Sequence, residues 1–184
     1  FPGGPQIEKV AGEAPDLAKA LARFPLPRPL IAKGGTPDNK CDFSFSGIKT
    51  AVRTHLAALP SKTYTAADIA MMAASLQETI ALVMANRCKN AMEKFKVLYP
   101  SATPAFVVSG GVAANKTIGA ALLGLSQKQG FAFHAPPLEL CGDNAVMIAW
   151  AGVEKLRLGQ SDPLNFKARP RWPLDPEGRG RQSH

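Results

Sequence analysis

The stretch from Thr65 to Leu98 constrains the fold of this chain more than any other. Ile69, Met72, Ala73, Leu76, Ile80, Val83, Met84, Cys88, Ala91 and Phe95 recur at three- and four-residue steps, which places them on one face of a helix. Thr65 stands where an N-cap hydroxyl is wanted. At about 1.5 Å per residue this helix spans roughly 50 Å, a length suited to bracing one face of a sheet. Its methionines read as core filler rather than a cofactor box, since flexible thioethers fill irregular gaps between packed elements.

Around this element, strand patterns alternate with helix patterns. Gly3 and Gly4 read as a turn, and Pro5 to Ala22 as helical with a break near Gly12 to Pro15. Pro25, Pro27, Pro29 and Pro37 exclude a helix and imply an irregular or edge-strand connection. Asp42 to Phe45 alternate polar and aromatic, as a short half-buried strand does. Ser46 or Gly47 then precedes an amphipathic helix ending near Pro60. Beyond the long helix the pattern predicts a strand at Ala105–Val108, a helix at Ala113–Gln127, a short strand at Phe131–His134 and a helix at about Gly142–Leu158. Such alternation indicates an α/β layered fold. The Pro- and Arg-rich tail from Asp162 is expected to fray after Leu174.

Composition narrows the function classes. With 184 residues, 46% of them hydrophobic, the chain can build one sizeable core or one lobe of a larger protein. No uninterrupted apolar run approaches the roughly 20 residues of a membrane span, and no signal peptide is visible. Cys41, Cys88 and Cys141 are odd in number and lack metal or disulfide spacing, which favours a cytoplasmic setting. The net charge of +8 favours polyanionic partners, nucleic acid first. The chain opens inside a Pro-Gly-Gly-Pro turn without an initiator Met, as a processed chain or a fragment would.

Chemistry is expected at three places. In "AFVVSGGVAANKTI" (residues 105–118) a strand runs into Gly110 and Gly111, where a backbone without Cβ lets a ligand approach. The following helix offers unpaired N–H groups, and Asn115 an amide matched to a ribose or an adenine edge. The bland alternative is a Gly-Gly turn with Asn115 as a local cap. The pattern is neither a Walker A loop nor GxGxxG. In "ELCGDNAVMIAWAG", Asp143 is either a helix N-cap or one ligand of a metal ion; a lone carboxylate cannot hold a divalent cation, so its partners would lie elsewhere. In "FPGGPQIE", Gly4 permits close approach and Glu8, one helical turn on, can bind paired ribose hydroxyls, although PGGP can also be a mere turn. GxSxG, Cys-His and paired-carboxylate signatures are absent, so no nucleophilic catalytic residue is assigned. "RPRWP" joins Arg169 and Arg171 to Trp172, as either a phosphate and base contact or a packed C-terminal strap.

Taken together, "PGGP", "DFSFSGIKTAV", "SGGVAANK", "CGDNAVMIAWAG" and "RPRWPL", in this order and spacing, resemble the TsaD family of tRNA threonylcarbamoyltransferases, formerly called O-sialoglycoprotein endopeptidases. The resemblance runs from Phe1 to about Leu174 and covers only the C-terminal half of such a protein. It implies the actin-like ATPase fold of the sugar kinase, Hsp70 and actin class (ASKHA), here its C-terminal lobe with a long helix. Residues 1–174 would be that lobe, residues 175–184 a flexible basic tail, and the N-terminal lobe with its HxxxH pair would be missing.

The resemblance further implies a threonylcarbamoyl-AMP or ATP/ADP-type ligand held by Gly4, Glu8, Gly110, Gly111 and Asn115. It implies a divalent metal (iron or zinc, with magnesium an alternative) held by Asp143 and the two histidines outside this chain. It implies tRNA as substrate, TsaB and TsaE as partners in a bacterium, and no membrane. Gly119 departs from the family, which places an Arg near that point, so helix geometry or a tRNA contact there is expected to differ. Half a cleft implies an inert fragment. Two rivals stay open: a metallopeptidase, opposed by the lack of HExxH, and a non-catalytic nucleotide-binding scaffold, opposed by Asn115 and Asp143.

Overall fold

The computed structural model describes residues 3–31, 40–59, 64–111, 114–142 and 145–167. The chain divides into two compact units, Phe1–Asp143 and Asn144–His184.

The first unit is organised on one helix. Its described residues form α1 (Gly3–Ala11), α2 (Leu17–Arg23), α3 (Ile48–Ala58), α4 (Ala66–Leu98), β1 (Ala105–Val107), α5 (Lys116–Gln129), β2 (Ala132–His134) and a 3₁₀ turn at Leu138–Leu140. Helix α4 starts where the sequence predicts. Thr65 Oγ1 accepts the Asp68 N–H at 3.1 Å, and Asp68 Oδ2 accepts the Thr65 N–H at 3.2 Å and its hydroxyl at 2.8 Å. This reciprocal box satisfies orphan donors at the helix start. Arg23 at the end of α2 adds an ion pair to Asp68 Oδ1 at 2.5 Å. The bonds from the Thr65 hydroxyl and then the Thr65 backbone hold the Asp68 carboxyl below its ordinary value of 3.8, helped by the Arg23 charge and opposed by burial.

The middle of α4 is covered on more faces than the single apolar stripe predicts. Ala70, Met71, Met72, Ala73, Ala74, Ala81 and Val83 are all buried, while Ile69, expected on the buried face, is 48% exposed. Small residues dominate here because several elements approach the helix closely: α1 and α2 pack beside its first half and α5 beside its second. Two apolar clusters result. The first joins Met71 and Met72 to Ala11, Ala20 and Phe24, with Val52 and Leu56 of α3 against them. The second joins Ala81 to Ile118 and Leu122 of α5, backed by Phe106, Val108 and Phe133. The methionines are core filler, as expected. Burial in the second cluster also pushes the Cys88 thiol up, which keeps it a neutral packing group.

Strands β1 and β2 pair in parallel, Ala105 with Ala132, Phe106 with Phe133 and Val107 with His134, and α5 forms the crossover. The unit is thus α/β but mostly helical. Phe131, expected as the first residue of β2, sits just before it and is buried, its ring against Phe95. Helix α5 ends at Gly130, whose φ of 71° closes the helix in the left-handed region that glycine reaches without strain.

Two local expectations are corrected. Gly3 and Gly4 are the first turn of α1 rather than a turn before it. Asp42 to Phe45 run as irregular backbone, because the sheet of the described residues holds only β1 and β2 and offers them no ladder. Their aromatic rings instead stack on one another, centroids 6.4 Å apart. The irregular reading holds for the described part of the proline-rich connection, while Pro37 lies outside the described residues.

In the second unit the described part holds α6 (Ala145–Arg157), with Arg157 Nη1 on Glu154 Oε1 at 2.9 Å. Its apolar side chains Val146, Ile148, Trp150 and Leu156 are exposed. The expected boundary at residue 174 lies outside the described residues, as do Arg169, Arg171 and Trp172. By length and composition α4 could cross a membrane, yet half of its most apolar window is packed inside the unit.

Urea unfolding should report the cap of α4. Thr65→Ala is expected to cost about 1 kcal/mol, the usual value of an N-cap. Because the folded Asp68 titrates below 3.8, its contribution is fully present above that value and drains away as pH falls through its lowered pKa. Asp68→Asn should therefore flatten the acid limb of the stability–pH curve, and an unchanged limb would contradict the assignment.

Candidate functional site

Two of the three expected places meet at the start of α5. Asn115 takes the extended conformation of an N-cap, with φ −68° and ψ 122°, and its Oδ1 accepts the Ile118 N–H at 3.0 Å. Glu8, on α1, accepts the Lys116 N–H with Oε1 at 2.8 Å, across 108 residues of sequence. The opening "PGGPQIE" and the "SGGVAANK" loop therefore converge in space. The local-cap alternative for Asn115 is true, and it coexists with a long-range role for the same loop.

A third residue, which sequence reasoning missed, joins them. Asn115 Nδ2 donates to Gln77 Oε1 at 2.8 Å, and Gln77 Nε2 donates to Thr117 Oγ1 at 2.8 Å. Gln77 belongs to α4, so the loop is moored to the central helix as well as to α1. The available signal was Gln77-Glu78-Thr79 interrupting the longest apolar run. A polar triplet inside a buried helix needs partners.

The electrostatics refine the phosphate expectation. A helix N-terminus favours anions because its first N–H groups lack partners. Here the first is taken by the Glu8 carboxylate and the third by Asn115. A phosphate at that spot would face the Glu8 negative charge, whereas hydroxyls or an amine would find acceptors. The geometry suits the sugar or base of a nucleotide better than its phosphates.

The glycines line open space. A Cβ built at Gly4, Gly110 or Gly111 would meet nothing within 4 Å. Gly110 has φ 89°, a conformation side chains rarely adopt, and it turns the chain out of β1. Backbone at these points is therefore open rather than packed against a neighbour. Gly119 does not interrupt α5: its N–H donates to the Asn115 carbonyl at 2.8 Å within a continuous helix.

Asp143 lies outside the described residues. Among the described residues no group of three or more His, Cys, Asp or Glu could hold a metal ion. His55 is committed elsewhere, its Nε2 lying 2.9 Å from the Pro25 carbonyl and its ring edge-on to Phe24.

Comparison with known proteins places these features in a family. Residues 1–150 match the family model described as TsaD, tRNA N6-adenosine threonylcarbamoyltransferase. A curated tRNA N6-adenosine threonylcarbamoyltransferase of Paramagnetospirillum magneticum is 48% identical over 180 residues, covering 97% of this chain and 48% of the relative. The Rhodospirillum rubrum protein of the same name is 47% identical over 177 residues, 96% of this chain and 46% of the relative. That of Brucella ovis is 48% identical over 179 residues, covering 95% and 46%. The chain spans about half the length of the curated relatives it matches.

The cap geometry can be tested by stability alone. Asn115→Ala is expected to lower the unfolding free energy by about 1 kcal/mol, while Asn115→Asp, which keeps a cap oxygen, should retain most of it. Equal losses in urea titrations of the two variants would show that the cap oxygen is not what matters there.

Proposed function

Because the chain belongs to the TsaD family, we propose that it forms the C-terminal half of a tRNA N6-adenosine threonylcarbamoyltransferase with the actin-like ATPase fold. The full protein would transfer threonylcarbamoyl from threonylcarbamoyl-AMP to the exocyclic amine of the adenosine beside the anticodon, in tRNAs that read codons starting with A. The observation that carries the site reading is the convergence of Glu8 and the Asn115 loop across 108 residues. Helix α1 and the start of α5, which bear two of the family's motifs, would form one wall of a nucleotide cleft.

In this reading the backbone at Gly4, Gly110 and Gly111 lies along the adenosine, Glu8 accepts from ribose hydroxyls, and Asn115 both donates and accepts. Glu8 can serve the ligand while bonded to Lys116, since a carboxylate has acceptor sites beyond the one in use. These groups orient the donor so that its carbamoyl carbon faces the incoming amine, and AMP leaves as the new C–N bond forms. None of them needs to be a nucleophile, in keeping with a sequence that displays no activated one. Asp143 would join two histidines outside this chain around a divalent metal, whose contribution is Lewis-acid polarisation of the transferring group. The chain's +8 charge suits the tRNA backbone. The remaining assignments are a cytoplasmic location and, in a bacterium, work with TsaB and TsaE.

Reconstitution of the full-length protein with its partners, tRNA and threonylcarbamoyl-AMP tests this. Asn115→Ala is expected to raise the KM for the adenylate about tenfold or more, as losing a buried hydrogen-bonding partner does. Asp143→Ala should abolish transfer. Full transfer by the Asp143 variant would remove the metal assignment, and turnover by the 184-residue chain alone would refute the two-walled cleft.

A further inference from the structure

The hydrogen bonds at the start of α5 extend past the residues that would touch a nucleotide. We propose that Gln77 is a positioning residue that presets the amide of Asn115 for the adenylate, a role that rests on the function proposed above. Gln77 is half-buried on α4, two residues from each of the fully buried Ser75 and Thr79, whose exposures are 0% and 1%. Its own amide is held at both ends, by Asn115 Nδ2 and by Thr117 Oγ1, each at 2.8 Å.

The bonding scheme fixes which way each amide points. If Asn115 were reversed, its NH₂ group would face the Ile118 N–H and its oxygen would face the Gln77 oxygen. If Gln77 were reversed, two NH₂ groups would oppose each other. Only the observed arrangement pairs every donor with an acceptor. Asn115 is then left with one amide proton and one free oxygen lone pair. Those two groups, of opposite polarity, can serve a purine edge or a ribose hydroxyl pair.

The mount is rigid as well as oriented. Helix α4 is anchored by both apolar clusters, so a side chain braced on it inherits the stiffness of the core. Without Gln77 the outer end of the Asn115 side chain would be free to reorient, and its ordering would be charged to ligand binding. The cost of freezing one such side chain corresponds to about three- to tenfold in affinity.

The test uses the full-length protein with its partner proteins, threonylcarbamoyl-AMP and tRNA. Gln77→Met keeps the length of the side chain and removes both bonds. It is expected to raise the KM for the adenylate about three- to tenfold, with kcat and the KM for tRNA within about twofold of wild type. In an Asn115→Ala background, Gln77→Met should add nothing further, because its effect passes through Asn115. Where Gln77→Met fails to fold, Thr117→Val frees the outer end of Gln77 without touching α4, and should raise the same KM about two- to threefold. Gln77 loses this role if Asn115→Ala raises the adenylate KM while Gln77→Met (or Thr117→Val) leaves it unchanged. It loses the role equally if the two effects simply add, or if the KM for tRNA rises in parallel. An Asn115→Ala enzyme with an unaltered adenylate KM would instead bring down the reading of the site, and the role of Gln77 with it.

Discussion

The constraint on which the first unit depends is the burial of α4 on several sides at once. A helix with one apolar stripe needs one neighbour, whereas this one is approached by α1, α2 and α5. The small side chains of Ala70, Ala73, Ala74 and Ala81 allow that closeness. Fixing the entry of so central a helix matters, and Thr65, Asp68 and Arg23 do so by tying the end of α2 to the first turn of α4. At the same end, the buried Ser75 hydroxyl donates to the Phe24 carbonyl at 2.6 Å, holding the chain as it leaves α2.

Polar residues inside α4 carry its influence outward. Ser75, Gln77 and Arg87 are not tolerated exceptions in an apolar helix; each reaches a segment the helix organises. Arg87 Nη2 donates to the Leu30 carbonyl at 3.1 Å, and Asn90 Nδ2 to the Lys40 carbonyl at 2.7 Å, so irregular backbone far away in sequence is pinned to the same rod. Gln77 does the same for the loop at the start of α5. Burying polar groups is costly unless they are bonded, and here the bonds they make also hold loops that lack regular structure of their own.

In the function proposed for it, the start of α5 would serve structure and binding together. Asn115 caps α5 and Glu8 neutralises its first N–H, yet each keeps capacity for a ligand. A cap used this way is already ordered before the ligand arrives, which reduces the entropy lost on binding. The Glu8 charge would also discourage phosphate where an unoccupied helix start invites it.

Local sequence patterns determined the long helix, its Thr65 cap, the βαβ order from Ala105 to His134 and the candidacy of Gly110, Gly111 and Asn115. These are local properties: three- and four-residue steps, a capping hydroxyl and a glycine turn act within a few residues. Ordered motifs across most of the chain determined the family. Tertiary structure alone decided that Ile69 faces outward, that Asp42 to Phe45 run as irregular backbone, and that Glu8 reaches Lys116. It also decided that Gln77 bonds Asn115 and Thr117. Each of those depends on which elements come together, and hydrogen bonds spanning 38 to 108 residues leave no periodic trace in the sequence.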